Sequence, residues 1–155
     1  MGDKLFEITI EPISIDDVIR RVSSPAVGAV VSFTGIVRGT NAGRRVLYLE
    51  YETYPEMAEL TLSQVAEEIK EQWSVEGVAI VHRVGKQRIG ETSVAIAIAS
   101  GHRRGAFEAG SFAIDRIKEI VPIWKKEYFE GGEVWIEGPD KPPKSIAKNL
   151  GEPGQ

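Results

Sequence analysis

The chain has 155 residues, 42% of them hydrophobic and 27% charged, with a net charge of −4 at pH 7 and no cysteine. That length and balance predict one soluble globular domain, and the acidic charge argues against a general affinity for nucleic acid or an anionic membrane surface. The lack of cysteine excludes disulfides, thiolate metal sites, Fe–S clusters and a cysteine nucleophile; with only His82 and His102 present, no HxH or HxxxH spacing starts a transition-metal site.

Leu5 to Ile10 alternates at Phe6, Ile8 and Ile10 and reads as a strand closed by Pro12. Ser14 is placed to cap a short helix with Asp16 and Asp17 in its first turn, stopped by Ser23, Ser24 and Pro25. Ala26 to Val37 is β-rich, and Gly28 and Gly35 inside it predict a bulge or a close backbone approach. Gly39 to Arg45 reads as a mobile polar loop. Val46 to Glu52 alternates, with Leu47, Leu49 and Tyr51 on one face and Tyr48, Glu50 and Glu52 on the other. Glu50 and Glu52 read as solvated, a paired-carboxylate site being the lesser alternative.

After Pro55, the stripe Ala58, Leu62, Val65, Ile69 and Trp73 predicts a core-facing helix. Val78 to Val84 and Thr92 to Ala99 read as strands joined by a turn from Gly85 to Glu91. In the second, Val94, Ile96 and Ile98 alternate with Ala95, Ala97 and Ala99, a face small enough for a helix to pack closely. His82 reads as structural.

Residues 100 to 126 carry the chemistry. Phe107, Gly110, Ile114, Ile117 and Val121 recur at spacings of three and four and predict a buried helical stripe, which Pro122 ends. His102, Arg103 and Arg104 precede it, where unpaired N–H groups and the macrodipole favour an anion. From His102 to Lys126, Arg103, Arg104, Arg116, Lys118, Lys125 and Lys126 face only Glu108, Asp115 and Glu119, a local excess of +3 on a chain of −4. Lys118, at the edge of the stripe, is expected to be partly desolvated and to converge with Lys125 on one pocket. Such a pocket suits an anionic, oxygen-rich ligand, and a desolvated lysine serves as acid, base or nucleophile.

Glu133 to Glu137 reads as a last short strand. The predicted order is β-α-β-β-α-β-β-α-β, an α+β domain with mostly antiparallel strands over 1–148 and a flexible tail over 149–155. No apolar run approaches the ~18 residues of a membrane span, and Met1 to Phe6 has no signal-peptide core, so the cytoplasm is the expected location. Walker and dinucleotide-binding glycine motifs and a Gly-x-Ser-x-Gly elbow are missing.

Six segments occur together in order: Gly28-Ala-Val-Val-Ser-Phe-Thr-Gly-Ile-Val-Arg38, Leu49-Glu-Tyr-Glu-Thr-Tyr-Pro-Glu-Met57, Val81-His-Arg-Val-Gly85, Ser100-Gly-His-Arg-Arg-Gly-Ala-Phe107, Lys118-x6-Lys125 and Trp135-Ile-Glu137. From about residue 5 to 148 this pattern resembles the large, catalytic subunit family of molybdopterin synthase. The resemblance implies an α/β hammerhead-like fold, a mostly antiparallel sheet with packed helices and a small additional β subdomain. It implies sulfur transfer without a cofactor or metal, from the C-terminal Gly-Gly thiocarboxylate of a small ubiquitin-like subunit to cyclic pyranopterin monophosphate. The product is the molybdopterin dithiolene, and the assembly is a homodimer within a heterotetramer.

By the same resemblance, Lys118 matches the lysine closest to the thiocarboxylate and Lys125 a second lysine needed for turnover. Arg38, His102 and Arg103 match positions that bind the anionic substrate, and Phe33 and Met57 line the pocket or the partner groove. Some relatives carry an arginine, contributed across the dimer, shortly after the Trp-x-Glu element. This chain has Gly138-Pro139-Asp140-Lys141 there, and Lys141 is a substitute without the bidentate fork. The alternative from another class is a non-catalytic binding module for a phosphorylated metabolite.

Overall fold

The computed structural model describes residues 4–137. In chain order these form β1 (Phe6–Thr9), α1 (Ile15–Arg20), β2 (Ala29–Ile36), β3 (Thr40–Asn41), β4 (Arg44–Thr53), α2 (Pro55–Gln72), β5 (Val75–Arg83), β6 (Gly85–Arg88), β7 (Thr92–Ser100), α3 (Arg103–Ile120), β8 (Ile123–Phe129) and β9 (Gly132–Glu137). Lys141 and the expected tail over 149–155 lie outside the described residues.

The two-faced alternation of β7 decides the first layer. β7 sits inside a four-stranded sheet ordered β1-β5-β7-β2, in which only the β1–β5 pair is parallel. On its larger face Val94, Ile96 and Ile98 join Ala58, Leu62, Val65 and Ile69 of α2 and Ala106, Ala109, Ala113 and Ile117 of α3 in the main core. On its alanine face Val18 and Val22 pack against Ala95, Ala97 and Ala99, so the small side chains do let a helix close in, and that helix is α1. Each large aliphatic buried here contributes about 1.5–3 kcal/mol of transfer free energy. Ser14 caps α1 by accepting from the Asp17 amide. Arg116 clamps α3 to α2 through Glu68 at 2.7 Å.

The additional β unit is a five-stranded antiparallel sheet ordered β3-β4-β8-β9, with β6 also paired to β4. Four of its features differ from the sequence reading. The stretch expected to be a mobile loop over 39–45 is instead the β3–β4 hairpin, turning at Ala42 and Gly43 with φ of 51° and 78°. Both values are those a two-residue type I′ turn requires. Buried Glu127 anchors the hairpin by accepting from Asn41 Nδ2 at 2.8 Å and pairing with Arg44 at 3.2 Å.

The expected turn from Gly85 to Glu91 contains β6, and the chain after Pro122 is strand β8 rather than a plain break. Ile-Trp-Lys-Lys-Glu-Tyr-Phe followed by Glu130-Gly131 is a strand-and-hairpin signature that the two lysines disguise. In β4 the register slips between Val46 and Tyr48, leaving Leu47 as an extra residue. Such a bulge resets the alternation. Val46 therefore joins Leu49 and Val37 in a third small core, and Leu47, predicted to share the face of Leu49 and Tyr51, is 46% exposed.

Candidate active site

α3 carries candidate residues at both ends. At its start, His102 is the N-cap without a side-chain capping bond, and the first turn holds no acid to answer the helix dipole. Gly101, His102, Arg103, Arg104, Phe107 and Glu108 line an open concavity there. Phe107, predicted on the buried stripe, is 63% exposed. The buried stripe is Ala106, Ala109, Gly110, Ala113 and Ile117, a face turned away from Phe107. A Cβ on Gly110 would stand 3.9 Å from Val31 Cγ1.

At the other end, Lys118 lies in the last turn, where a cation suits the negative end of the dipole. Val121 caps the helix in extended geometry, φ −78° and ψ 128°, as the following Pro122 demands. A cavity of about 480 Å³ opens beside it. Arg38 enters from the exit of β2, Lys118 from α3 and Lys125 from β8, while Phe33, Tyr51, His82 and Ser93 line it from β2, β4, β5 and β7. Ile114, Ile117, Val121 and Ile123 give it an apolar wall. Gly35 belongs to the lining as well: a Cβ there would meet Val94 Cγ1 at 2.7 Å, and the β2 register slips just after it. Both readings of a strand glycine, bulge and close approach, apply to Gly35.

Arg38, Lys118, Lys125 and Phe33 therefore come together as expected, and His102 and Arg103 do not join them. Fifteen helical steps along α3 separate Arg103 from Lys118, about 22 Å at the rise of an α-helix. Lys118 is exposed rather than desolvated, because it projects from the rim and not from the stripe; Lys125 is half-buried. Met57 is 55% exposed on α2 near exposed Tyr54 and Leu60, and lines neither concavity. His82, read from sequence as structural, is buried and also faces the Lys118 cavity. Its Nδ1 lies 2.8 Å from the Arg83 carbonyl and its ring stands edge-on to Tyr51 at 4.9 Å. Its strand context carried no signal for this role; only its neighbours in space do.

The residues on the other face of β4 and β8 are organised differently. Lys126 is buried beside Tyr128 and Trp135 and pairs with Glu133 at 3.1 Å. Glu50 accepts from the Tyr128 hydroxyl at 3.0 Å. Burial first, and the neighbouring Glu50 charge second, push the Glu52 carboxyl above its ordinary pKa, with Lys126 pulling the other way. A folded-state pKa that is raised means that the charged form costs stability at neutral pH, and that this cost fades as pH falls through the raised value. Glu52→Gln is therefore expected to raise the melting temperature at pH 7. The gain should vanish below about pH 4, where unfolded glutamate is protonated too; melting curves of both proteins across that range check it.

Residues 8–120 match the family model described as MoaE protein. The molybdopterin synthase catalytic subunit of Halalkalibacterium halodurans is 49% identical over 136 residues, covering 88% of this chain and 87% of that protein. Among solved structures, molybdopterin synthase from Staphylococcus aureus superposes with a TM-score of 0.83 at 47% identity, over 87% of this chain and 98% of that one. A chain from the protein–protein complex of subunits 1 and 2 of molybdopterin-converting factor from Helicobacter pylori shares the fold, with a TM-score of 0.70 at 18% identity over 96% of this chain and 100% of that one.

Proposed function

We propose that the cavity of Arg38, Lys118 and Lys125 is a sulfur-transfer centre, because the chain belongs to the MoaE protein family, that of the molybdopterin synthase catalytic subunits. The activity is transfer of sulfur in molybdopterin synthesis. The observation that carries the assignment to this cavity is the convergence of three cations from three separate elements against one apolar wall. A volume near 480 Å³ suits a small fused-ring ligand.

In this reading the sulfur donor is the thiocarboxylate at the Gly-Gly end of a small ubiquitin-like subunit, and the acceptor is cyclic pyranopterin monophosphate. The thiocarboxylate sulfur attacks a side-ring carbon of the pterin and displaces the oxygen bonded to that carbon; the carbon–oxygen bond breaks, the departing oxygen takes up a proton, and an acyl thioester joins the two molecules. Water then adds to the acyl carbon, the carbon–sulfur bond to the small subunit breaks, and that subunit leaves as a carboxylate; a second round installs the second sulfur. The Lys118 ammonium stabilises the oxyanion of the tetrahedral intermediate and passes protons during its collapse. Arg38 and Lys125 hold the phosphate by charge-assisted hydrogen bonds. His102 and Arg103 supply a second anion site and act on the same substrate only across the homodimer that the family resemblance implies. The chemistry is then that of lysine, arginine and histidine, and its place is the cytoplasm. Among the described residues no helix is long and apolar enough to cross a membrane.

The purified protein, mixed with a thiocarboxylated small subunit and cyclic pyranopterin monophosphate, is expected to yield a pterin carrying two added sulfurs by mass spectrometry. Binding of the phosphorylated pterin without any sulfur gain would replace this reading with that of a non-catalytic binding module.

A further inference from the structure

Beneath the Lys118 cavity lies a polar chain that the sulfur chemistry does not use. Gln87 of β6 is fully buried. Its Nε2 donates to the carbonyls of Arg83 at 3.1 Å and Gly85 at 3.4 Å, and its Oε1 accepts from the Ser93 hydroxyl at 2.6 Å. Two carbonyls on one side fix which end of the amide is nitrogen, since a carbonyl only accepts. The Ser93 proton is thereby committed to Gln87, and the lone pairs of Ser93 Oγ are what this residue offers to the cavity it lines. His82 is set by the same logic. The Arg83 carbonyl only accepts, so His82 Nδ1 carries the hydrogen of that bond.

The charged groups of the cavity, Arg38, Lys118 and Lys125, are donors only. The cavity thus has cationic donors at its rim and a neutral acceptor, the Ser93 hydroxyl oxygen, in its lining. A ligand that matches both carries an anionic group at one end and a ring with N–H groups at the other. We propose that Ser93, held by Gln87 as a positioning residue, accepts a hydrogen bond from a ring or amino N–H of the substrate heterocycle and so selects a pterin over other phosphate esters. This rests on the sulfur-transfer reading for where the substrate lies.

The test compares wild type, Ser93→Ala, Gln87→Met and the double variant, by steady-state kinetics with cyclic pyranopterin monophosphate and by calorimetry with inorganic phosphate. Loss of one ligand hydrogen bond should raise KM about tenfold in Ser93→Ala with kcat retained, while phosphate affinity stays as in wild type. Gln87→Met should shift KM the same way, and the double variant should be no weaker than Ser93→Ala alone, because Gln87 acts through Ser93. A KM for Ser93→Ala within about twofold of wild type overturns the proposal, and so does an equal loss of phosphate affinity. Should Gln87→Met fail to fold, the Ser93→Ala result decides. Wild type that turns over normally beside an unmoved Ser93→Ala sinks this inference alone; wild type that forms no product and binds no pterin sinks the sulfur-transfer reading with it.

Discussion

Lys118→Ala is expected to lower turnover by about 10²- to 10³-fold, the loss typical of removing one preorganised group from an oxyanion. The reason lies in its position. The last turn of α3 and the Pro122 stop hold the lysine at the rim of a cavity whose other cations, Arg38 and Lys125, come from different elements and are assigned to the phosphate. Alanine keeps the helix and removes only an exposed side chain, so folding stability should move by less than about 0.5 kcal/mol. Single-turnover sulfur transfer, read with the thiocarboxylated partner in excess, separates this from a binding defect. Lys118→Arg sharpens the result, because a guanidinium keeps the charge and does not release a proton near neutral pH. Wild-type turnover in Lys118→Ala would remove the residue from the mechanism.

Ile96→Ala should cost about 2–5 kcal/mol of folding stability. Ile96 is fully buried at the middle of β7, paired laterally with Ile80 and Phe33 and covered by α2 and α3. Neither neighbouring strand can collapse into the gap without breaking its ladder. For a domain of this size the loss corresponds to a fall in melting temperature of roughly 5–15 °C. Urea unfolding with an unchanged slope and a lower midpoint would confirm that the effect is on stability. A shift under about 1 kcal/mol would mean that the two helices relax into the cavity far more freely than their small-residue contact with the sheet implies.

The main layers were legible because their signals are local. The two faces of β7, the stripe of α2, the Ser14 cap, the Pro122 stop and the close approach at Gly35 each depend on a few neighbouring residues whose size or backbone freedom admits one arrangement. The second sheet was harder to read. β6 is built around a buried glutamine and β8 around two adjacent lysines, and one extra residue in β4 exchanges Leu47 for Val46. Polar residues become strand residues there because partners such as Glu133 and Ser93 satisfy them, which no window of sequence reveals. The stripe of α3 was misread at Phe107 because the buried face is centred on Ala106, Ala109, Gly110, Ala113 and Ile117, and at about 100° per residue Phe107 points away from it.

For the site, the resemblance named Arg38, Lys118 and Lys125, and the fold brings them together. His102 and Arg103, named by the same resemblance, lie at the opposite end of α3 from Lys118 and line a separate concavity within the chain. His82 was read as structural and Ser93 was not singled out, because both reach the cavity only through strand pairing.

The α3 rod also sets how this gene can change in length. One residue added or removed between Arg103 and Lys118 would turn everything beyond it by about 100° and shift it about 1.5 Å, swinging the lysine off the rim and Ile117 out of the core together. The Ala42–Gly43 turn can lengthen without moving either. Insertions and deletions among descendants of this sequence should therefore gather at the hairpin tips and spare the helix, even where single-residue replacements on its solvent side are frequent.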